Sequence, residues 1–310
     1  MDLFHIIKQY LKRYRLVQEI YIAYLTHVKD MGINRRELDK NILMRKWRGL
    51  NTARQRHPRI VVSLTTFPAR VYEVKYTIYS LFNQDCAPDV VVLWLAKEQF
   101  PNGKEDLPAE LLMFEEAGLR IEWCHDCRSY KKIIPALKRY PEDIIVTVDD
   151  DIFYSPECIE NLYDCHLRYP FDVIANRVRY VEIDNFGAVM PYETWGFTKP
   201  NTASYRNFFT GAGAVLYPSR CLYADVVRED IFKMVTPLAD DMWLWAMAVL
   251  NERKIRVPET ANCSLRYVSL ENELLGINTL ASVNVKRGEN DKQLKKLLAM
   301  YPDVVEKIQQ

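Results

Sequence analysis

Residues 140–154 read YPEDIIVTVDDDIFY, and this stretch decides the fold class. Five apolar or β-branched residues, 144–148, are typical of a buried strand, and they run directly into Asp149, Asp150 and Asp151. A strand that ends in carboxylates places them at the carboxyl edge of a sheet, where open α/β folds bind ligands. A solvated acidic turn is the alternative interpretation.

The same alternation continues on both sides of this stretch. Short apolar runs at 59–67, 89–95 and 119–124 are separated by segments with helical periodicity at 71–84, 107–118 and 129–140, and a further helical segment follows at 155–169. Strands that alternate with helices form crossover units, which build a largely parallel sheet covered on both faces. The sequence predicts a doubly wound, Rossmann-like α/β fold.

The pattern becomes irregular after residue 170. Residues 187–218 are rich in aromatic residues, Gly and Pro, and a strongly apolar helix is expected at 238–251. Irregular aromatic segments fit a substrate-facing region better than a second core. We therefore expect one domain at 59–310, with a doubly wound half at 59–170 and a substrate-facing half at 171–310.

The first 58 residues differ in charge from the remainder, because they carry +8 against −7 for residues 59–310. Apolar residues recur at helical spacing between Leu3 and Val28, and a basic connector follows to Pro58. We expect a basic helical arm. It could lie on an anionic membrane surface, pack on the body or pair with a second copy of itself. The charge alone does not indicate nucleic acid.

The composition, 49% hydrophobic and 27% charged, supplies enough apolar material for a full core. No stretch reaches the ~20 apolar residues that span a bilayer, and the N-terminus is unlike a signal peptide. Seven scattered cysteines favour buried thiols in a reducing compartment, although Cys124 and Cys127 form a C-x-x-C motif. These features predict a cytoplasmic protein, located at most peripherally on the inner face of the cell membrane.

Three adjacent carboxylates repel one another and need a cation to neutralise them. Hard oxygen ligands select Mg²⁺ or Mn²⁺, either of which can bridge carboxylates to a diphosphate. Asp149–Asp151 therefore predict a divalent metal site.

Five segments together resemble bacterial GT-A glycosyltransferases of capsule and lipopolysaccharide assembly. They are VSLTTFPAR at 62–70, NQDCAPDVVVLWL at 83–95, DCRSYKKIIPAL at 126–137, YPEDIIVTVDDDIFY at 140–154 and LADDMWLW at 238–245. The similarity runs in order from about 59 to 251, is strongest at 59–155 and does not extend to the first 58 residues. It implies a GT-A-like fold and a nucleotide diphosphate sugar donor, with 59–170 as the nucleotide-sugar-binding half and 171–310 as the acceptor-binding half.

The resemblance also implies a donor site. It places Thr65, Thr66 and Arg70 under the nucleotide and Asp126 beside the base or ribose. By similarity to the D-x-D motif, Asp151 is the direct metal ligand, while Asp149 and Asp150 contact ribose, sugar or metal-bound water, with Asp149 the second metal candidate. The alternative for the two threonines is ordinary strand composition.

Ser129, Lys131 and Lys132 begin the next helical segment, where a helix N-terminus and cationic side chains could hold phosphate oxygens. Adjacent helical positions point in different directions, so we expect Lys132 alone to face the site. A solvated basic face is the alternative.

A second acidic pair, Asp240 and Asp241, resembles the pair of inverting transferases in which one carboxylate deprotonates the acceptor hydroxyl. Asp241 is the preferred base, and a helix N-cap is the alternative. Gly211 and Gly213 would allow close approach of the backbone to donor and acceptor sugars.

Five further residues are weaker candidates. Tyr192, Trp195 and Trp243 could stack on sugars or pack in the core. The Asn290–Asp291 pair could contact the diphosphate or cap a helix.

The predicted activity is metal-dependent transfer of a sugar to a polysaccharide or lipid-linked glycan, with inversion by a carboxylate base. The alternatives are a sugar-phosphate transferase or nucleotidyltransferase, and a non-catalytic glycan-binding scaffold. The segment 62–70 lacks the glycine-rich loop of nucleotidyltransferases, and the intact acidic clusters disfavour a scaffold.

Overall fold

The computed structural model describes residues 15–53, 55–261, 264–275 and 288–310. The first half of the predicted N-terminal stripe, from Leu3 to Tyr14, lies outside these residues. Ten strands and eleven α-helices are defined within them.

The strands are β1 (Ile60–Thr65), β2 (Val90–Ala96), β3 (Arg120–Cys124), β4 (Ile144–Thr147), β5 (Val173–Ala175), β6 (Val178–Tyr180), β7 (Ala203–Ser204), β8 (Asn207–Phe209), β9 (Val215–Tyr217) and β10 (Ile255–Arg256). The helices are α1 (Arg15–His27), α2 (Arg35–Leu43), α3 (Val74–Leu81), α4 (Ala109–Glu116), α5 (Ile134–Arg139), α6 (Cys158–Arg168), α7 (Glu229–Val235), α8 (Asp240–Leu250), α9 (Leu270–Leu275), α10 (Glu289–Met300) and α11 (Asp303–Ile308).

Eight strands form one sheet in the order β3-β2-β1-β4-β9-β5-β10-β7. The first four strands are all parallel, with Ser63 in register between Val92 and Thr147. Strand β9 enters antiparallel between β4 and β5, while β5 and β10 are again parallel. The predicted, mostly parallel α/β sheet is confirmed. Its second half is more mixed than the strand pattern indicated, and β6 and β8 form a separate antiparallel pair.

Successive residues of each strand face opposite sides of the sheet, and each side has its own core. Along β1, Val61 belongs to one core, while Val62 and Leu64 belong to the other. Helices α3, α4 and α6 cover the face of Val62, and helices α5, α7, α8, α10 and α11 cover the face of Val61. Helices on both faces are therefore confirmed.

Helix α8 explains why its sequence is apolar all round. Residues 242–249 of this helix are all buried within the core on the Val61 side. A helix with no solvent face carries no polar stripe. Its N-terminus is nevertheless acidic, with Asp240 and Asp241 in the first turn.

The N-terminal region contacts the body through two helices. Leu25 of α1 packs with Leu270 and Leu274 of α9, and Ile42 of α2 is fully buried in the core on the Val62 side. Helix α2 lies where the sequence indicated only a connector. Its N-cap is Asn34, whose side-chain oxygen accepts the N–H of Glu37, a start signal that the basic composition masked.

None of the helices among the described residues combines the length and the apolar character needed to cross a bilayer.

Candidate active site

The carboxyl ends of the parallel strands meet at one edge of the sheet, and a cavity of about 900 Å³ opens there. All eleven residues that the sequence proposed for donor binding, metal binding and catalysis line it: Thr65, Thr66, Arg70, Asp126, Ser129, Lys132, Asp149, Asp150, Asp151, Asp240 and Asp241. The fold thus brings together side chains up to 176 positions apart in the sequence. Their individual roles stay predictions.

Lys132 connects the two acidic clusters at the centre of the cavity. Its Nζ lies 2.7 Å from Oδ1 of Asp149 and 3.0 Å from Oδ2 of Asp240. Burial opposes its charge, but the carboxylates of Asp149, Asp240 and Asp241 raise the pKa of Lys132 well above its ordinary value. A fixed positive charge therefore sits between the acids that follow β4 and the acids that begin α8.

Asp150 and Asp151 share a second cation, Arg70. Its Nη1 lies 2.8 Å from Oδ1 of Asp150 and 2.7 Å from Oδ2 of Asp151, and Thr66 donates a 2.5 Å hydrogen bond to Oδ2 of Asp150. Both oxygens of the buried Asp150 are therefore engaged within the chain, by two of the three residues that the resemblance placed under the nucleotide. Asp150 fixes Arg70 and Thr66 in the wall of the cavity.

The positive side chains near the triple aspartate bear on whether it needs a metal ion. Arg70 and Lys132 already neutralise part of the triple aspartate, so charge repulsion alone does not demand an added ion. No group of three His, Cys, Asp or Glu side chains within the described ranges is arranged to hold a metal. Mg²⁺, however, is commonly bound by one or two carboxylates together with substrate phosphates. Asp149 and Asp151, whose side chains are 31% and 27% exposed, fit an ion of this kind, completed by a diphosphate.

Asp241 has the surroundings of a general base. The N–H of Gly211 donates a 2.9 Å hydrogen bond to its Oδ2. Burial and the charge of Asp240 raise the pKa of Asp241 to about 7, against the opposing effect of Lys132. A carboxylate with a pKa near neutrality can accept a proton from a hydroxyl and release it again.

The helix N-cap alternative for the acidic pair is wrong. The N-cap of α8 is Ala239, without a side-chain capping bond, and both aspartates lie inside the first turn. Asp240 is engaged by Lys132, whereas no lysine or arginine among the described residues lies within 4.0 Å of Asp241. Of the two, Asp241 is the one available to a hydroxyl.

The far end of the cavity, beyond β3, is polar. Asp126 accepts hydrogen bonds from Gln99 Nε2, the Arg128 N–H and Lys131 Nζ at 3.0, 2.8 and 3.0 Å. Burial acts against ionisation, but these hydrogen bonds and the Lys131 charge lower the pKa of Asp126. It is therefore a fixed anionic acceptor at neutral pH. The buried Ser129 Oγ next to it has no hydrogen-bond partner among the described residues.

The expectation that only one of Lys131 and Lys132 faces the site is wrong. Residues 128–132 form a 3-10 helix, not an α-helix, and both lysines line the cavity. Lys131 reaches Asp126, while Lys132 reaches Asp149 and Asp240. The two lysines serve opposite ends of one site.

Gly211 and Gly213 lie in a short 3-10 turn between β8 and β9. A Cβ at position 211 would lie 2.7 Å from Lys132 Nζ and 2.9 Å from Asp241 Oδ1, so the missing side chain leaves room for these groups. A Cβ at position 213 would instead meet the Arg177 backbone N at 2.8 Å. Gly211 shapes the site, and Gly213 permits close approach to the backbone of Arg177.

The remaining candidates differ in whether they line the cavity. Trp195 and Trp243 are buried in the core and do not line the cavity; their indole N–H groups donate to backbone carbonyls. Tyr192 does line it. The cap interpretation of Asn290–Asp291 is wrong because α10 begins one residue earlier, after Gly288.

The Asn290–Asp291 pair instead serves the wall of the site. Asn290 lines the cavity, and Asp291 Oδ1 accepts the N–H of Tyr192 at 2.7 Å, which anchors the tyrosine. The pair thus contributes to the part of the cavity wall that contains Tyr192.

Sequence reasoning missed two arginines that also line the cavity, Arg177 and Arg179. Arg177 lies in the bend between β5 and β6, and Arg179 lies within β6. Short strands in an irregular region gave no reason to distinguish them from solvated arginines.

Comparisons with known proteins find similar solved structures. No family model matches the chain, and no curated protein matches it. Among solved structures, a mannosyltransferase from Pyrobaculum calidifontis, in complex with GDP-mannose and Mn²⁺, is similar at 13% identity, with 96% of this chain and 76% of that chain covered and a TM-score of 0.49.

Two further structures are similar at lower scores. A 4-diphosphocytidyl-2C-methyl-D-erythritol synthase from Anaerococcus prevotii matches at 14% identity, covering 70% of this chain and 95% of that one, with a TM-score of 0.43. Residues 1–349 of S. aureus TarS match at 15% identity, covering 77% and 70%, with a TM-score of 0.43. All three scores are below 0.5, and the function proposed below rests on the chain's own side chains.

Proposed function

We propose that this chain is a glycosyltransferase that moves a sugar from a nucleotide diphosphate sugar to a glycan or lipid-linked glycan acceptor. One observation carries the proposal: a single cavity holds Asp149 and Asp151 on one side of Lys132, and Asp241, which accepts the Gly211 N–H, on the other. Asp149 and Asp151 suit a metal-bound diphosphate, and Asp241 suits the deprotonation of a hydroxyl.

The nucleotide occupies the end of the cavity near β3. Asp126 is ionised there and can accept hydrogen bonds from a base or ribose, and the unpartnered Ser129 hydroxyl can donate or accept one. Thr65 lies at the end of β1, where its hydroxyl donates to the Trp94 carbonyl at 2.8 Å. This end carries hydrogen-bonding groups that suit a nucleoside.

The diphosphate lies over the triple aspartate. Mg²⁺ or Mn²⁺ bound by Asp151 and Asp149 would supply positive charge to the leaving diphosphate. Lys132 holds Asp149 in place through its 2.7 Å contact, and Arg70 does the same for Asp151 at 2.7 Å. These pairs fix the ligand oxygens before the donor arrives, which lowers the cost of organising the site.

Asp241 removes the proton of the acceptor hydroxyl as that oxygen attacks the anomeric carbon and the nucleoside diphosphate leaves. Attack from the side opposite the leaving group inverts the configuration. The Gly211 N–H holds one oxygen of Asp241, which directs the other towards the incoming hydroxyl. The proton then stays on Asp241 until the product departs.

The Asp241 arrangement also favours glycosyl transfer over nucleotidyl transfer. In nucleotidyl transfer to a sugar phosphate, an ionised phosphate is the nucleophile, and it needs no base. A binding scaffold would likewise have no use for a carboxylate held with a pKa of about 7, which costs stability when ionised.

A donor screen tests the proposal. The full chain is heated with each of a panel of nucleotide sugars, with Mn²⁺, with Mg²⁺ and with chelator. We expect one nucleotide class to raise the midpoint of thermal unfolding in a metal-dependent way. Asp126→Asn should weaken this effect, whereas Asp230→Asn, an exposed and remote control, should preserve it. An unchanged midpoint with every nucleotide sugar would refute donor binding.

A further inference from the structure

A pair of arginines lies at the end of the cavity furthest from the nucleotide. Arg177 follows β5 and Arg179 lies in β6. Their guanidinium carbons lie 4.7 and 4.9 Å from the centroid of the same Phe197 ring, which aligns the two cations on one aromatic side chain. Both line the cavity.

The hydrogen bonds of the pair are made to neutral groups. Arg177 Nη1 donates to the Thr210 hydroxyl at 2.8 Å, and Arg179 Nη1 donates to the Trp195 carbonyl at 2.6 Å. Across the described ranges, no carboxylate lies within 4.0 Å of either guanidinium. Two partly buried positive charges therefore share one wall without a directly ion-paired carboxylate, and an anionic group would relieve their repulsion.

The position of the pair assigns it to the acceptor and not to the nucleotide. The sheet order β3-β2-β1-β4-β9-β5 puts five strand spacings, roughly 24 Å, between the strand before Asp126 and the strand before Arg177. Thr210, the partner of Arg177, adjoins Gly211, whose N–H holds Asp241. The arginines thus lie beside the proposed base.

Tyr192 supports this placement. Arg179 lies 5.2 Å from the centre of its ring. Burial raises the pKa of Tyr192, the charges of Arg179 and Arg177 oppose that rise, and Asp241 adds to it. All three charged groups are therefore within electrostatic reach of a single phenol.

We propose that Arg177 and Arg179 form a subsite for an anionic group, a phosphate or a carboxylate, carried by the acceptor. This inference rests on the proposed function, because it uses Asp241 to define the acceptor end. A planar guanidinium can bind either oxyanion with two parallel hydrogen bonds. The acceptor class is then a glycan that bears phosphate or a uronic acid, in preference to a neutral glycan.

Paired probes test the subsite. Glycerol 3-phosphate is compared with glycerol, and methyl glucuronide with methyl glucoside, by titration calorimetry on the full chain, with and without nucleoside diphosphate and Mn²⁺. We expect one anionic probe to bind at least about tenfold more tightly than its neutral counterpart, and the better of the two identifies phosphate or carboxylate.

Variants locate the binding. Arg177→Gln and Arg179→Gln should each weaken the anionic probe about tenfold, and Arg179→Lys less, while nucleoside diphosphate affinity stays within about twofold. Arg206→Gln is the matched control, because Arg206 also stacks on an aromatic ring in this region, 4.4 Å from the Tyr180 centroid, but lies outside the cavity.

Three outcomes decide between the acceptor subsite and its alternatives. Equal binding of charged and neutral probes, or no binding of either, would overturn the subsite. An equal loss of nucleoside diphosphate affinity in the arginine variants would overturn it too, by assigning the pair to the donor. Anionic probe binding without any nucleotide binding would support the anion subsite and refute the proposed function instead.

Discussion

The backbone N–H of Gly211 donates a 2.9 Å hydrogen bond to Oδ2 of Asp241, and the absent side chain of the same glycine leaves space for Lys132 and Asp149. One residue thus orients the proposed base and admits the cation that joins the two acidic clusters. Position 211 is therefore a direct probe of the site.

Gly211→Ala should damage activity far more than stability. Its Cβ would approach Lys132 Nζ at 2.7 Å and Asp241 Oδ1 at 2.9 Å, and both are ends of side chains that can move away. We expect transfer to fall at least ~10²-fold, as for other displaced catalytic groups, with a nearly unchanged midpoint of thermal unfolding. The measurement is kcat beside a melting curve.

Gly213→Ala is the matched contrast. Its Cβ would meet backbone atoms of Arg177 at 2.8 and 3.1 Å, which cannot move aside cheaply. We expect it to lower the free energy of unfolding by about 1–3 kcal/mol. If both glycine variants lose stability equally, Gly211 is a packing residue and not part of the site.

Asp241→Asn should lower kcat by at least ~10²-fold with little change in donor affinity, because an amide cannot accept the hydroxyl proton. Asp240→Asn should disturb Lys132 and affect donor binding as well, because Asp240 lies 3.0 Å from its Nζ. Steady-state kinetics with donor titration separates the two. The reverse pattern would make Asp240 the base.

The pH dependence of Asp241 gives a second readout. Its folded-state pKa of about 7 lies above the ~3.9 of an unfolded aspartate, so the folded chain holds the proton more tightly. The stability that this group contributes is therefore present below pH ~4 and is lost as pH rises to about 7. Activity should rise over the upper part of this range, and Asp241→Asn should melt at a higher temperature than the wild type at pH 8. A pH-independent difference in melting temperature would contradict the raised pKa.

Asp151→Asn should abolish transfer and the metal dependence of donor binding while the fold is kept. Arg70 retains its 2.8 Å contact with Asp150 in this variant, so no buried cation is stranded. Excess chelator should reproduce the loss in the wild type. Full wild-type turnover in chelator would show that the reaction does not need the metal. The control for Asp151→Asn is Asp39→Asn, which changes a carboxylate outside the cavity.

The N-terminal arm should localise the enzyme and not catalyse. Helix α1 packs on α9 through Leu25, while Ile20 and Val28 are 63% and 65% exposed on its surface. Replacing these two with serine should lower sedimentation with anionic liposomes and leave stability and turnover on a soluble acceptor unchanged. Leu25→Ala should instead destabilise the chain, by about 2 kcal/mol.

The alternatives for the arm give different results. An unchanged liposome fraction with a halved solution mass would make the exposed face a dimer contact. If neither changes, the role of the arm is limited to packing on α9.

Much of the parallel half was predictable because its strands are apolar, β-branched and separated by periodic helices. Residues 144–148 and 60–65 carry that pattern at full strength. Strands β5 to β10 have two or three residues each and lie among Gly, Pro and aromatic residues, so no periodicity could reveal them. The antiparallel insertion of β9 depends on long-range pairing, which local composition does not encode.

The residues of the candidate site could be predicted from the sequence, but the contacts between their side chains could not. Strand ends and acidic runs drew attention to Asp149 and Asp241, and the resemblance supplied their roles. Nothing local indicated that Lys132 would join Asp149 to Asp240 or that Arg70 would neutralise Asp150 and Asp151, because these contacts cross 17 to 108 positions of sequence. The sequence did not distinguish Arg177 and Arg179. The structure does, because both line the cavity and both lie against the Phe197 ring.

Product analysis distinguishes glycosyl transfer from nucleotidyl transfer. The full chain is incubated with Mn²⁺ and the nucleotide sugars that stabilise it, and the products are resolved by chromatography and mass spectrometry. We expect nucleoside diphosphate, with the sugar recovered on acceptor or water, in wild type and not in Asp241→Asn or Asp151→Asn. Pyrophosphate released from a nucleoside triphosphate and a sugar phosphate, with no nucleoside diphosphate from any nucleotide sugar, would contradict it.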